Sequence, residues 1–406
     1  MRGETDITLT ITLDRAAVEA LSKQANEPAW LRELRVGAFD RFEKIAEPTD
    51  RTEGWRRLSF ESADLAPAAP EPTVVRFGIS DEQRALGVVA MPLSLAATEH
   101  EPMVRDALAK PRVGHTLAKY SALAQSAWQG GAFVLVPDGV QLTHPISIEI
   151  EAGAYPWIVL VIGADARASI IETHRERGSL SSGLVDIAAG AGSRLTYAHV
   201  QDVGRSSVAF SHQHARVARG AKLVTLNFGM GARLSKNDVE VELLGQGAES
   251  DMLGLVFADG EQQFDYHTLQ GHRSPDTRSD LLYKSALNGA SHSLYTGIII
   301  IDRGAQRSDA YQANRNLLLS EHARADTEPK LEIEADDVRC THGATVGPID
   351  DEQLFYLASR GLDPEVGSRL IVEGFFQEVF EKAGDAELVR PLQDTVAPHI
   401  SRLGAR

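Results

Sequence analysis

The sequence predicts a mainly β protein whose core is flanked by α-helical regions at both ends. Three observations carry that prediction. Between residues 130 and about 346, short runs rich in Val, Ile and Leu alternate with Gly, Asp and Ser, and little there can hold a long helix. Gly-Ala pairs recur through that stretch at nearly constant spacing. On either side, apolar residues fall at steps of three and four between capping signals. The expected division is an N-terminal helix-rich region over 1–129, a β core over 130–346 and a C-terminal helical domain over 347–406.

In the first region "DRAAVEALSKQA" opens at Asp14, a residue suited to accept hydrogen bonds from the first free N–H groups of a helix. The following "EPAWLRELRVGAFDRFEKI" places Leu31, Leu34, Ala38, Phe42 and Ile45 on one stripe, the buried face of a helix lying on a larger body. Residues 61–72, "ESADLAPAAPEP", have no periodicity and read as a linker or draped loop. Another helical stretch is expected over roughly 98–128.

In the β core, Gly-Ala pairs begin at Gly163, Gly190, Gly220 and Gly247, at intervals of 27, 30 and 27. A repeat that regular suggests stacked units. Leu226 and Phe228 return 27 places later as Leu253 and Leu255, which would lie above one another if each coil contributed two strands and two turns. The register then slips, with the next pairs at Gly289 and Gly304, so the repeat alone leaves both a parallel β-helix and an antiparallel sandwich open.

The C-terminal punctuation is clearer. Asp350 is placed to cap "DEQLFYLASR", with Gln353 at the capping-box position and Gly361 as the stop. Asp363 and Pro364 open a second helix ending near Gly384. Its polar side is only the narrow stripe Arg369, Glu373, Gln377 and Glu381, so contact with the protein body alone would leave much apolar surface in water. A second contact surface is expected.

Composition removes several functions. The net charge of −16 repels a polyphosphate backbone, and no Lys/Arg stripe interleaved with aromatics offsets it, so no nucleic acid is expected. The N-terminal residues lack an apolar signal core, and runs such as "WIVLVIG" are too short to span a bilayer. A cytoplasmic protein without membrane contact is expected. The single cysteine excludes an internal disulfide and a self-contained site built on four thiolates. Nucleotide-loop, nucleophile-elbow and zincin motifs are missing. A β-helix polysaccharide-active enzyme would show clustered carboxylates with Lys/Arg on one face, which the sequence does not display.

The cysteine lies in "LEIEADDVRCTHGATVG". The alternation in "LEIE" directs Leu331 and Ile333 to a core and Glu332 and Glu334 to solvent. If extension continues, Cys340 and His342 share a face, and a thiolate and an imidazole there can meet one soft metal ion or a cluster edge. The alternative is a small packed cysteine beside a hydrogen-bonded histidine. His212 and His214 in "SHQHARV" also share a face in a strand, but no third ligand follows at a recognisable spacing.

The stretch "NRNLLLSEHARADTEPKLEIEADDVRCTHGATVGPIDDEQLFYLASRGL" closely resembles the SufB/SufD family of iron–sulfur cluster assembly proteins. The likeness continues through "LIVEGFFQEV", with weaker echoes in "QGGAFVLVPDGVQLTHPISI", "GVVAMPLSLA" and "EPAWLRELRVGAFDRF". Within the family, "CTHGATVG" and the modest length resemble SufD; SufB proteins are longer, carry a glutamate at the place of Gly343 and have more cysteines. The resemblance implies a right-handed parallel β-helix between the helical regions. It implies a non-enzymatic scaffold subunit of a SufB–SufC–SufD complex, whose last core strands pair with those of SufB and whose C-terminal helices dock SufC, an ABC-type ATPase. The expected docking residues are Leu354, Phe355, Tyr356, Leu370, Phe375, Phe376, Val379 and Phe380. The family's C-x-H motif falls on Cys340 and His342, implying a transient iron–sulfur cluster or iron shared with a SufB partner, with the histidine carrying the stronger assignment. The larger complex also implies flavin, without assigning it to residues of this chain. A homodimer of the isolated chain and a purely structural subunit are the alternatives.

Overall fold

The protein is described by a computed structural model covering residues 13–402 apart from 61–64, 68–69, 109–115 and 176–179. The extreme N-terminal residues, parts of the expected linker and part of the expected 98–128 helical stretch therefore lie outside the described residues. Two nine-stranded sheets face one another. The first is built from β1 (Val74–Gly78), β4 (Ile146–Ala152), β6 (Arg167–His174), β8 (Arg194–Asp202), β10 (Lys222–Met230), β12 (Glu249–Ala258), β14 (Arg278–Leu287), β16 (Asp309–Leu318) and β18 (Arg339–Pro348). The second comprises β2 (Val89–Pro92), β3 (Gly131–Val136), β5 (Trp157–Ile162), β7 (Leu180–Ala189), β9 (Val208–Val217), β11 (Leu234–Leu243), β13 (Gln263–His272), β15 (His292–Ile301) and β17 (Arg324–Ile333). From β3 onward the chain alternates between the sheets and every pairing within a sheet is parallel. The result is a parallel β-solenoid of about eight turns, two strands to a turn.

The choice between solenoid and sandwich is settled by register. Leu226 pairs with Leu253 and Phe228 with Leu255, the stacking that the 27-residue interval suggested. The six passages from the second sheet back to the first between β5 and β16 each place one residue in the left-handed region: Asp165, Gly192, Gly220, Gly247, Asp276 and Arg307. The N–H of each of the first five bonds the carbonyl just before its counterpart in the next coil, as in Gly192 N–H to Arg219 O and Gly220 N–H to Gln246 O. The Gly-Ala register slips because the β13–β14 and β15–β16 corners carry Asp276 and Arg307 at this position, while Gly289 belongs to the opposite corner.

Ile146, Ile148 and Ile150 of β4, Ile158, Leu160 and Ile162 of β5, and Val185 and Ile187 of β7 fill the interior of the first coils. Further along, Tyr266, Tyr283 and Tyr295 stack with ring centroids 5.4 Å apart at each step. Gly254, in register with Tyr283, makes room for that ring: a Cβ there would stand 2.3 Å from it. Stacking such apolar columns supplies roughly 25 cal/mol per Å² removed from water.

The N-terminal region is mostly helical, as expected, but contributes β1 and β2, which pair antiparallel with β4 and β3 at the start of the two sheets. Helices α2 (Ala29–Lys44), α4 (Leu93–Glu99), α5 (Glu101–Leu108) and α6 (Ala118–Ala127) gather on the second sheet, with α1 (Arg15–Gln24) packed on α2 and α6, while the short α3 (Asp81–Ala85) links β1 to β2. Asp14 caps α1 through a 2.7 Å bond from Ala17 N–H. Buried Arg35 ties α2 to the end of α6, donating to the carbonyls of Ser126 and Trp128 at 2.8 and 3.0 Å and pairing with Glu27.

At the other end, α7 (Asp351–Ser359), α8 (Pro364–Ala383) and α9 (Ala386–Ile400) follow the last strand. Asp350 caps α7 by accepting from Glu352 N–H, rather than through a box with Gln353. Asp363 caps α8, Pro364 opens it, and Gly384 closes it with a left-handed φ of 68°. Helix α9 was not read separately from the sequence; its Leu388, Leu392, Val396 and Ile400, at steps of four, are all buried.

Candidate functional site

The final coil is unfinished. Strands β17 and β18 are the last of their sheets, and each pairs on one side only, with β15 and β16. The expectation that Leu331 and Ile333 face a core is therefore corrected. They stand in register with buried Ile299 and Ile301 but are themselves 39% and 41% exposed, because no further coil covers them. Val346 on β18 is likewise exposed. Two ten-residue strands with open backbone edges and uncovered apolar side chains present the unpaired N–H and C=O groups on which a further strand can pair.

Cys340 and His342 lie on β18, in register with Ala310 and Gln312 of the coil beneath, so they project to one side as their spacing predicted. Their surroundings differ. Cys340 is half-buried against a small cluster of Ile299, Ile301, Ala305, Ala310 and Ala335, and burial pushes its thiol pKa up, away from the thiolate. His342 is exposed and makes no hydrogen bond among the described residues. Beneath it, Gln312 is buried with its Oε1 unpartnered. One imidazole and one thiol on an open edge offer at most two ligand atoms, fewer than a cluster needs.

Of the expected docking residues, Phe376, Val379 and Phe380 are corrected. All three are buried against the outer surface of the first sheet, with Phe380 stacked on Phe228 at 5.9 Å. Lys284 reinforces the contact by donating to the Phe375 carbonyl at 2.7 Å and pairing with Glu378 at 2.6 Å. Phe375 is half-buried over that lysine, the ammonium 4.6 Å from the ring centroid. Leu354 turns onto α8 at Gly367, where a Cβ would come to 3.7 Å of its Cδ2. Phe355, Tyr356 and Leu370 remain exposed, Phe355 to 76%, with the Arg360 guanidinium over the Tyr356 ring. Tyr356 and Leu370 line a shallow groove of about 470 Å³ together with Leu357, Ile371 and the acidic Asp350 and Glu352.

His212 and His214 project from the outer side of β9 into the contact with the N-terminal helices, buried and paired. His212 meets Ser121 Oγ at 2.8 Å and Glu240 at 3.2 Å; His214 meets Glu242 at 3.1 Å and stands 3.9 Å from Asp186. Both are absorbed in hydrogen bonds and carboxylate contacts that tie the N-terminal helices and neighbouring coils to β9. The sequence reading missed a different group, Glu172, His174 and His199. His199 follows Glu172 by 27 residues, the same interval that separates the first Gly-Ala pairs, and that coincidence is the signal that would have found it. Among the described residues no helix is long and apolar enough to cross a membrane.

Residues 146–375 match the family model described as SUF system FeS cluster assembly, SufBD core domain. The chain is similar to an iron–sulfur cluster assembly SufBD family protein of Mycobacterium leprae, 34% identical over 277 residues, which is 65% of this chain and 70% of that protein. A SufBD family protein of Mycobacterium tuberculosis is 32% identical over 294 residues, 68% of this chain and 74% of its own. The iron–sulfur cluster assembly protein SufD of Bacillus subtilis is 26% identical over 411 residues, covering 91% and 94% of the two chains.

Proposed function

The chain belongs to the SufBD family of iron–sulfur cluster assembly proteins, and from that premise we propose that it is a scaffold subunit that pairs its terminal coil with a SufB homologue and carries a SufC-type ATPase on its C-terminal helices. The observation that carries this reading is the unfinished coil, whose two edge strands are open and one of which presents His342 beside Cys340.

The chemistry follows from the count of ligands. A cluster held at this edge takes His342 from this chain and its thiolates from the partner, so the nascent cluster, or the iron for it, is cargo shared across an interface. Cys340 is the weaker ligand because its thiol is packed and its pKa raised. Phe355, Tyr356 and Leu370 form the apolar contact for the ATPase. Closure of two ATPase subunits, one on each C-terminal domain, then strains the shared edge and exposes the ligands. The scaffold itself performs no catalysis; ATP hydrolysis belongs to the partner.

Co-expression with SufB and SufC homologues, anaerobic purification through this chain, and iron and sulfide analysis test the reading. His342→Ala is expected to lower cluster iron at least tenfold while complex yield and ATPase activity stay unchanged, with Cys340→Ser milder. The isolated chain, reconstituted anaerobically, is expected to stay free of cluster colour. Full cluster content in the His342→Ala complex would refute the ligand role.

A further inference from the structure

We propose that Glu172, His174 and His199 form a binding site for one divalent transition-metal ion, of the Zn(II) or Fe(II) class, inside the first coils of the solenoid. Glu172 and His174 are two places apart on β6, and His199 lies on β8 in register with Glu172. All three follow the inward side of their strands, the side that carries Ile170 on β6 and Leu195 and Tyr197 on β8 into the interior. One ligand atom from each lies within 4.8 Å of the other two.

The pairs within the group do not account for all of it. Glu172 is already satisfied: His174 Nε2 stands 2.5 Å from its Oε1, and the Tyr197 hydroxyl donates to its Oε2 at 2.8 Å. That triad of Glu, His and Tyr would be complete without a second imidazole. Yet His199 is present, 3% exposed, its ring centroid 4.9 Å from that of His174, and neither of its nitrogens has a hydrogen bond among the described residues. Leaving a buried polar group unpaired costs about 1–3 kcal/mol. An apolar residue here would avoid that cost, whereas a metal ion turns the unpaired nitrogen into a ligand.

The donor set suits such an ion. Two imidazoles and one carboxylate with open positions are the ligands of non-haem Fe(II) and of three-ligand zinc sites. Tyr197 serves as the outer partner that fixes the carboxylate, as second-shell donors do in metal sites. Space is available on the facing wall: Gly183 of β7 presents no side chain, and even a Cβ there would come only to 3.8 Å from His174 Cε1. Arg175, the next residue after His174, lines a surface groove of about 540 Å³, so the strand end that carries the site reaches solvent.

This inference does not depend on the assembly reading, and its test keeps the two apart. The full-length chain, free of any affinity tag and stripped with a chelator, is titrated with Zn(II), and anaerobically with Fe(II), desalted and analysed for metal. One equivalent of at least one of the two ions is expected to remain, and the ion retained identifies the class. Co(II) as a spectroscopic probe is expected to show ligand-field bands without thiolate charge transfer. His199→Gln and Glu172→Gln are expected to lower affinity at least tenfold at unchanged circular dichroism. The Cys340→Ser/His342→Ala double variant is expected to bind as the parent does. Failure of the parent chain to retain either ion, parental affinity in both single variants, or loss of metal in the double variant would each overturn the proposal.

Discussion

His214 shows how a side chain that does no chemistry still leaves a measurable mark. Burial is the largest influence on it and by itself disfavours the imidazolium, but the neighbouring carboxylates of Asp186 and Glu242 outweigh burial and raise its pKa to about 9. The folded value lies above the ordinary 6.5, so the stabilisation is fully present below about pH 6.5 and is lost as the pH rises through about 9. We expect the free energy of unfolding by urea to fall by roughly 2–3 kcal/mol through this group between those limits. His214→Gln should flatten that fall, and equal slopes for parent and variant would disprove the assignment. The strand spacing of "SHQHARV" was legible in the sequence. The partners were not, because Asp186 and Glu242 sit on neighbouring coils and reach His214 only once strand register is known. The pairing of Glu172 with His199 was hidden for the same reason. Cys340 and His342 were easier, since two residues of one strand need no register to share a side.

Helix α8 marks the limit of periodicity. Its narrow polar stripe announced apolar surface on more than one side, but spacing cannot say which side is internal. The structure gives the inner one to Phe376, Val379 and Phe380, covered by the solenoid, and leaves Leu370 with Phe355 and Tyr356 of α7 on the outside. The two sets should therefore separate on mutation. Phe376→Ala removes a fully buried ring and is expected to cost roughly 3–5 kcal/mol, read by denaturant unfolding. Phe355→Asp is expected to change stability by no more than about 0.5 kcal/mol, yet to abolish co-purification with a SufC homologue. An intact ATPase complex carrying Phe355→Asp would remove α7 from the docking surface. The capping residues around these helices were readable because a cap is local: Asp363, Pro364 and Gly384 act within one turn.

Across the whole molecule the two ends of the solenoid are unlike. One ends in the short antiparallel strands β1 and β2; the other stops at two bare ten-residue parallel strands. The 27-residue repeat foretold the stacking, but nothing periodic marks where stacking stops, since Leu331 and Ile333 continue the interior pattern into open solvent. In the language of polymer chemistry the solenoid is monofunctional in strand pairing. A repeat protein with two mating ends would grow into fibres, whereas a unit with one must stop at two. The isolated chain is thus expected to sediment as monomer or dimer at every concentration, never as a higher series, and a charge at Val346 should shift it toward monomer. A concentration-dependent ladder of larger species would contradict this. The same arithmetic sets a competition under the proposed pairing: a chain joined edge to edge to a copy of itself has no strand edge left for a SufB-type partner, so the ratio of the two subunits would decide how much of either is available for work.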